Sequence, residues 1–587
     1  MAFETPFAHV LDTNYAPSSE EQTTIKALII EPEDRIHQLE EDISRLEAEC
    51  NKLKRFVDRH RALLAPFRRL PADVWREIFT FCLLDNKFGL SLRSTSQAPL
   101  LLTTICQSWR DISLNTPQLW NSIHIHIPAP SSSGPFRKDL LYPALRARKE
   151  GLERWLQRSG SLPLTISMSV ELHNLEGEGV EMDAIGTEFI EVFMKHCRRW
   201  KTLVLGTHGR HLIALDELGA DDLPQLENVH TSGSMLFQRH GQGPQLAHFG
   251  DFLTRATSFR SLNMANEWTP VRLLDFGVKW SNLTELRITS PLWQSSEPDL
   301  FAPGTFLRAL AKQCSSLVIF SLTRFSFYDD RLRPLDTSLL STTPLPWPTI
   351  REFTFSARDP GFENFMDIIR DAFEQITLPS VERLSITLDC YNSIYNPATS
   401  APDGPEAPWG RFLLRSQPPV KHLELSISPS EWGIRAALRS LKPLCGLKSL
   451  RIRYGVAWST GYEELVRGLR EPFEGGPLCP ELEKLEFEEC VASDMEVILT
   501  LADHHSSMGR PNLKLIRAKF ALPTEYYGES QEGFDVSATK DCVTWTRKAN
   551  LGATVVLAWS RSQVDPHYRD SPSTGIPVFA GGYPSWP

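Results

Sequence analysis

The sequence has little of several features that mark particular kinds of protein. No apolar run approaches the ~20 residues that cross a bilayer, and the first residues lack the basic and apolar regions of a signal peptide. A formal net charge of −10 argues against a general affinity for nucleic acid. We therefore expect neither a membrane nor a nucleic acid among its partners.

The sequence contains cysteines, but none of them are spaced as a C-x-x-C pair. The ten cysteines include no C-x-x-C pair, and Cys82, Cys106, Cys197 and Cys314 lie in apolar, periodic contexts that predict buried, reduced thiols. Reduced thiols are typical of the inside of a cell. The sequence thus favours a cytoplasmic and/or nuclear protein.

Motifs of known catalytic chemistry are missing as well. There is no G-x-x-x-x-G-K-[ST], no H-E-x-x-H and no G-x-S-x-G. His124 and His126 could ligate a metal, but their alternation with isoleucines favours the polar face of a strand. Cys106 has no identifiable base, which favours a small core residue over a nucleophile. We expect no enzyme activity, no cofactor and no metal.

The length, in contrast, allows several domains. A chain of 587 residues is too long for one core, and 41% hydrophobic with 23% charged residues is ordinary globular composition. Composition and periodicity predict an α+β multi-domain protein. Its predicted segments are a disordered N-terminus (1–31), a coiled coil (32–65), a small helical domain (66–127), a linker (128–150), a repeat region (151–520) and a tail (521–587).

Residues 32–65 carry a heptad pattern. Apolar or neutral residues recur at spacings of three and four for about four heptads, which indicates a long amphipathic helix or coiled coil; they are Ile36, Leu39, Ile43, Leu46, Cys50, Leu53, Val57, His60 and Leu64. The e positions, Glu40, Glu47, Lys54 and Arg61, change sign midway. That change favours antiparallel self-association, while a helix folded back onto its own protein remains an alternative.

Residues 66–127 contain two short helical patterns with more apolar surface than they can bury. Pro71 suits the first turn of a helix, and Asp73 suits its N-terminus. A longer connection and a second apolar helix, 101–112, follow. A domain of ~60 residues is near the lower limit of independent stability, and surplus apolar surface is typical of an interface.

The order and spacing of these residues resemble the F-box domain, in particular the large F-box group of mushroom-forming fungi. The matching positions are Leu70, Pro71, Asp73, Val74, Ile78, Phe79, Ile105, Cys106, Trp109, Arg110, Ile112, Pro117, Leu119 and Trp120. The segment from Asp85 to Pro99 is longer than the minimal F-box connection.

The resemblance implies binding to the Skp-type adaptor of a cullin–RING ubiquitin ligase. It implies the following adaptor-binding residues: Leu70, Pro71, Val74, Trp75, Ile78, Phe79, Ile105, Cys106 and Trp109. Leu70 can also pack against Val74 as a hydrophobic staple within its own domain. In that case we expect the side of Pro71 and Trp75 to stay free for the partner.

A loose repeat begins near residue 150. Strand-like pieces of the form x-L-x-x-L-x-L alternate with helical patterns at a period of about 27–39 residues, which is typical of a degenerate leucine-rich-repeat α/β solenoid. Eight residues serve as its anchors: Leu203, Leu286, Phe320, Phe353, Leu384, Leu423, Leu450 and Leu485. The tail contains one predicted strand, 553–559.

Two functions fit these observations, and a third has no support in the sequence. The first is a substrate receptor of a Skp–cullin–F-box ubiquitin ligase, with the adaptor bound by the F-box and a target protein bound by the repeats. The second is a coiled-coil and solenoid scaffold whose F-box is not used for ubiquitination. The third is an enzyme with an unfamiliar site, which a cluster of perturbed titratable groups in a deep pocket would support.

Overall fold

The structure is a computed structural model of the whole chain. It describes residues 5–83, 95–128, 138–170, 179–206, 213–219, 221–232, 251–265, 278–289, 292–293, 303–327, 343–359, 365–390, 409–427, 438, 440–454, 478–490, 495, 498–499, 501–502, 512–521, 535–538, 542–548 and 554–560. The chain divides into two compact units, Met1–Cys82 and Leu83–Pro587.

The N-terminal unit is helical. Its elements are α1 (Ser19–Leu64), a 3-10 helix (Pro66–Arg69) and α2 (Ala72–Phe81). The helix α1 begins well before residue 32, where the heptad pattern predicts its start, so the prediction of a disordered 1–31 is wrong over the helical part. The cause is a capping box: the Ser18 hydroxyl accepts from the Glu21 N–H, and the Glu21 carboxylate accepts from the Ser18 N–H. Pro32 lies inside this helix.

The large unit begins with short helices and then alternates strands with helices. Its helices are α3 (Leu102–Ile105), α4 (Gln107–Leu114), α5 (Lys138–Arg158), α6 (Gly179–Met194), α7 (Asp251–Arg255), α8 (Pro303–Gln313), α9 (Phe365–Glu374) and α10 (Gly410–Ser416). Its 3-10 helices are Pro117–Leu119, Cys197–Arg199, Ile213–Glu217 and Trp280–Asn282. Among the residues that the structure describes, no helix combines the length and apolar composition of a membrane span.

The strands in the described part of the large unit are numbered in chain order. They are β1 (Ser122–Ile127), β2 (Leu164–Val170), β3 (Trp200–Gly206), β4 (Asn228–Ser232), β5 (Ser261–Ala265), β6 (Glu285–Thr289), β7 (Leu292–Trp293), β8 (Ile319–Phe327), β9 (Leu345–Pro346), β10 (Glu352–Asp359), β11 (Ile376–Thr377), β12 (Arg383–Cys390), β13 (His422–Ile427), β14 (Ser449–Tyr454), β15 (Lys484–Cys490), β16 (Leu515–Ala521), β17 (Asp535–Ala538), β18 (Cys542–Lys548) and β19 (Thr554–Ser560).

Seventeen of these strands form one sheet, and β9 pairs with β11 in a second. From β1 to β16 the long strands pair in parallel with their neighbours in chain order. Then β19 pairs in parallel with β16, and β18 and β17 continue the sheet in antiparallel. The predicted mixture of helix and strand with a long N-terminal helix is confirmed, and most of the strands of the large unit form a parallel sheet.

The core follows one row of residues across this sheet. We call it the anchor row; each member pairs in register with the next, and each is buried: Ile123, Ile166, Leu203, Val229, Leu262, Leu286, Phe320, Phe353, Leu384, Leu423, Leu450, Leu485, Ile516 and Val555. All eight anchors chosen from the sequence are in it. Parallel strands in register align equivalent repeat positions, which is why a weak period identified them.

The structure differs from the predicted character of two segments. The 128–150 segment is not a plain linker, since α5 occupies Lys138–Arg158 and buries Leu145, Leu152 and Trp155; its helical spacing is interrupted in sequence by Pro143 and many charges. The described part of the tail holds three strands where one was predicted, because β17 and β18 pair beside β19. Short antiparallel strands of mixed polarity carry little signal of their own.

Candidate interaction surfaces

Helix α2 has one face that packs within the N-terminal unit. Trp75 lies edge-on to Phe67, with ring centroids 6.2 Å apart, and its ring centroid is 5.6 Å from that of Phe79. Phe79 is buried. The Trp75 ring therefore makes contacts within its own unit but is only half-buried, and Pro71 is exposed.

The other side of α2 is an exposed apolar stripe. Val74 and Ile78, one helical turn apart, keep 39% and 40% of their surface exposed, and Leu70, just before the helix, keeps 37%. Phe81 extends the exposure. Leu70 therefore does not bury Val74 as a hydrophobic staple would. We call Leu70, Val74, Ile78 and Phe81 the α2 stripe. Contiguous exposed apolar residues of this kind mark protein-binding surfaces.

The remaining adaptor-binding candidates lie in the large unit, on α3 and α4. Cys106 is exposed and caps α4, because its Sγ accepts from the Trp109 N–H at 3.5 Å. The Arg110 Nε donates to the Thr103 carbonyl at 2.7 Å and so joins the two helices. Ile105 is exposed and Trp109 is half-buried. The prediction of a small core residue at Cys106 is wrong, because the α3–α4 turn places it at a helix start.

The end of the motif, Pro117 to Trp120, has a structural role. Leu119 and Trp120 are fully buried, and the Trp120 Nε1 donates to the Ser113 carbonyl at 2.8 Å. The Trp120 ring meets Trp155 edge-to-face at 4.8 Å, and the Arg158 guanidinium lies 4.7 Å from the Trp120 ring centroid. These contacts attach α4 to α5 at the start of the sheet.

The predicted adaptor-binding residues are thus divided between the compact units. Leu70, Pro71, Val74, Trp75, Ile78 and Phe79 belong to Met1–Cys82, whereas Ile105, Cys106 and Trp109 belong to Leu83–Pro587. Each set presents exposed apolar atoms on its own unit.

His124 and His126 lie on the polar side of β1. Each ring Nδ1 is within hydrogen-bond distance of a serine hydroxyl on β2, Ser167 at 2.8 Å and Ser169 at 3.0 Å. Burial, with a smaller contribution from His126, lowers the pKa of His124 to about 4. His124 is therefore a neutral, packed imidazole at physiological pH. Among the described residues, no group of three or more His, Cys, Asp or Glu is arranged to hold a metal.

The buried thiols of Cys197 and Cys314 are poorly reactive. Burial raises the pKa of Cys314 to about 12 and, more than any other cause, raises that of Cys197. A thiol reacts as its thiolate, so neither is suited to nucleophilic chemistry at neutral pH. Both are buried as the sequence predicts, whereas Cys82 is exposed, in contrast to its prediction.

The polar side of the sheet carries a ladder of alternating charge. Glu424, Arg451, Glu486 and Arg517 occupy equivalent positions on β13, β14, β15 and β16. Each stands directly after an anchor-row residue, so alignment of the repeats would have revealed the ladder. The anchor pattern alone does not predict the ladder, because the repeat is defined by the apolar anchors and not by the residues between them.

Glu486 is the centre of this charge ladder. Its side chain is only 3% exposed and lies 2.8 Å from an Arg451 nitrogen, 3.1 Å from the Lys484 Nζ and 3.4 Å from an Arg517 nitrogen. Burial alone would raise the pKa of Glu486, but the hydrogen bonds and charges of Lys484 and Arg451 outweigh it and lower the pKa. The carboxylate is thus ionised and surrounded by cations.

A second carboxylate extends the cluster. Glu488 accepts from the Lys519 Nζ at 2.7 Å and lies 3.8 Å from the Arg451 Nε. Arg453 pairs in register with Glu488, and its buried Nε makes no hydrogen bond within the described part of the chain. The basic side chains of this cluster, Arg451, Arg453, Lys484, Arg517 and Lys519, outnumber the acidic ones, Glu424, Glu486 and Glu488, so the cluster carries a net positive charge.

No protein-family model and no curated protein sequence matches this chain. The interpretation of these surfaces therefore rests on the residues and their geometry.

Proposed function

We propose that this protein is the substrate-receptor subunit of a Skp–cullin–F-box ubiquitin ligase. The observation that carries the proposal is the α2 stripe: a ten-residue helix packs one aromatic face internally and leaves Leu70, Val74 and Ile78 exposed. Exposed apolar residues add little to the stability of a helix of this size by itself. They contribute favourable free energy only when a partner removes them from water.

The large unit supports a target-binding role. We propose that its sheet is a degenerate leucine-rich-repeat solenoid, since strands pair in chain order and the anchor row repeats one apolar position on each. A solenoid presents repeated positions on one extended surface. In this protein those positions include the charge ladder, Glu424, Arg451, Glu486 and Arg517, and the neighbouring Arg453.

The proposed mechanism is proximity. The receptor forms or breaks no covalent bond; it holds a lysine of the target near a ubiquitin-charged enzyme that the rest of the complex supplies. Tethering of this kind replaces a bimolecular encounter by one at a high effective concentration.

The test is binding of the full-length chain to the host's Skp-type adaptor, measured by calorimetry. Val74→Ala and Ile78→Ala remove exposed atoms of the α2 stripe without touching the Phe67–Trp75–Phe79 contacts. Interface anchors are each worth about 2 kcal/mol, so each variant should weaken binding about 30-fold. Leu140→Ala, which truncates an exposed leucine on α5, is the matched control and should bind as the wild type does.

Each outcome decides between the functions. Binding that is lost in the two α2 variants and kept in Leu140→Ala supports the receptor. If the wild-type chain does not bind the adaptor, the ubiquitin-ligase function is refuted and the scaffold function takes its place. Equal weakening in all three variants would show that the α2 stripe is not the docking surface.

A further inference from the structure

The long helix α1 has an apolar seam that nothing in its own unit covers. None of its residues is buried, and the seam residues Ile36, Leu39, Ile43, Leu46, Leu53 and Val57 are 43–59% exposed. A helix of 46 residues extends about 69 Å. Seams of this length with apolar residues at spacings of three and four are buried in coiled coils.

The charges of α1 indicate what covers the seam. Residues 33–49 contain seven acidic and two basic residues, whereas residues 50–64 contain five basic and one acidic. Two copies in parallel would place the acidic halves side by side and the basic halves side by side. Two antiparallel copies place each acidic half against a basic half, which is the more favourable arrangement.

We propose that α1 forms an antiparallel coiled coil with α1 of a second copy of this chain. With Ile36 at heptad position a, the a and d residues of one copy face the d and a residues of the other. One register makes Leu46 face Val57, and Cys50 face Leu53, of the second copy. The same register brings the e positions together, so that Glu47 lies beside Lys54 and Glu40 beside Arg61. Apolar packing and opposite charges therefore agree on one register.

The first experiment is sedimentation equilibrium of the full chain over a range of micromolar concentrations. The mass should rise from 66.5 kDa toward twice that value. Glu47→Lys turns two symmetry-related attractive pairs with Lys54 into repulsive ones. The dissociation constant of the dimer should therefore rise about tenfold. The matched control is Glu41→Lys, which makes the same charge change at the outward f position and should leave the dimer unchanged.

The direction of the Glu47→Lys effect also reports the orientation. In a parallel pair Glu47 would lie beside Asp42 of the other copy, so the same substitution would relieve a repulsion and tighten the dimer. The double variant Glu47→Lys with Lys54→Glu exchanges the charges of the antiparallel pair and should restore the wild-type dimer.

A cross-link provides an independent measure of the register. In a chain that combines Leu46→Cys, Val57→Cys and Cys50→Ser, mild oxidation should join position 46 of one copy to position 57 of the other, as identified by peptide mass spectrometry. Links between the two copies of position 46, or of position 57, would indicate a parallel pair and overturn the proposal. A wild-type chain that stays monomeric at every concentration, or forms an assembly larger than a dimer, would also overturn it.

Discussion

Glu486→Gln tests whether the buried carboxylate organises the polar side of the sheet. The substitution keeps the shape and one hydrogen-bond acceptor but removes the negative charge that holds Arg451, Lys484 and Arg517 within 3.4 Å. Hydrogen bonds to charged groups contribute about 1.5–3 kcal/mol each. Because the three cations are 34–40% exposed, water recovers much of that loss, and we expect the free energy of unfolding to fall by about 2 kcal/mol.

The effect should also depend on pH. The pKa of Glu486 in the folded protein is below its ordinary value of 4.5, so its contribution to stability is complete above that value and is lost as the pH falls below it. Urea unfolding, followed by tryptophan fluorescence at pH 7 and pH 4, measures the loss of stability in the variant and its dependence on pH. The difference between wild type and variant should be large at pH 7 and smaller at pH 4.

Glu483→Gln is the matched control. Glu483, which immediately precedes β15, also lies 2.7 Å from a lysine, Lys514, but its side chain is 35% exposed. Its loss should barely move the urea midpoint, because water replaces much of an exposed ion pair. Equal shifts for Glu483→Gln and Glu486→Gln, or a Glu486→Gln shift that is the same at both pH values, would refute the reasoning.

Three further predictions concern other parts of the molecule. Because burial lowers the pKa of His124 from 6.5 to about 4, the free energy of unfolding should fall by up to about 3 kcal/mol as the pH falls between those values. In urea unfolding, His124→Gln should make the stability less dependent on pH over this range, and an unchanged pH profile would contradict the prediction. Phe353→Ala, among the rings of Phe320 and Phe373, should cost about 3–5 kcal/mol in the same assay, with an unshifted midpoint as the contrary result. Ser18→Ala should cost about 1 kcal/mol of helix stability, seen as faster amide exchange in the first turn of α1 but not in its centre.

The sequence predicts the strands best where equivalent residues recur. The anchors from Leu203 to Leu485 can be found because each strand repeats the environment of its neighbour, and that environment demands a large apolar side chain. The signal is weaker at the start of the large unit, where α5 has a proline in its sequence and many charges. The buried contacts of Trp155 show that this helix belongs to the large unit. They join residues that are far apart in the chain, so no local sequence pattern reveals them.

The candidate site is predicted less completely, for a physical reason. The spacing of Leu70, Val74 and Ile78 identifies an apolar helix, but spacing does not show which side of the helix its own unit uses. The Phe67–Trp75–Phe79 contacts depend on the turn between α1 and α2, which brings a ring from that turn against the helix. The ladder around Glu486 needs four aligned strands, which no local pattern contains.

The anchor row has a consequence for how such a chain changes over generations. The intervals between successive described strands differ widely: β5 ends at Ala265 and β6 begins at Glu285, whereas β12 ends at Cys390 and β13 begins at His422, and β14 ends at Tyr454 and β15 begins at Lys484. Yet the register across those strands is continuous. Insertions between the long strands from β1 to β16 therefore leave the hydrogen-bonded framework intact, because each of these strands pairs with the long strands before and after it in the chain. A family built on this plan can lengthen or replace its connections, and so acquire new surface, without redesigning its core.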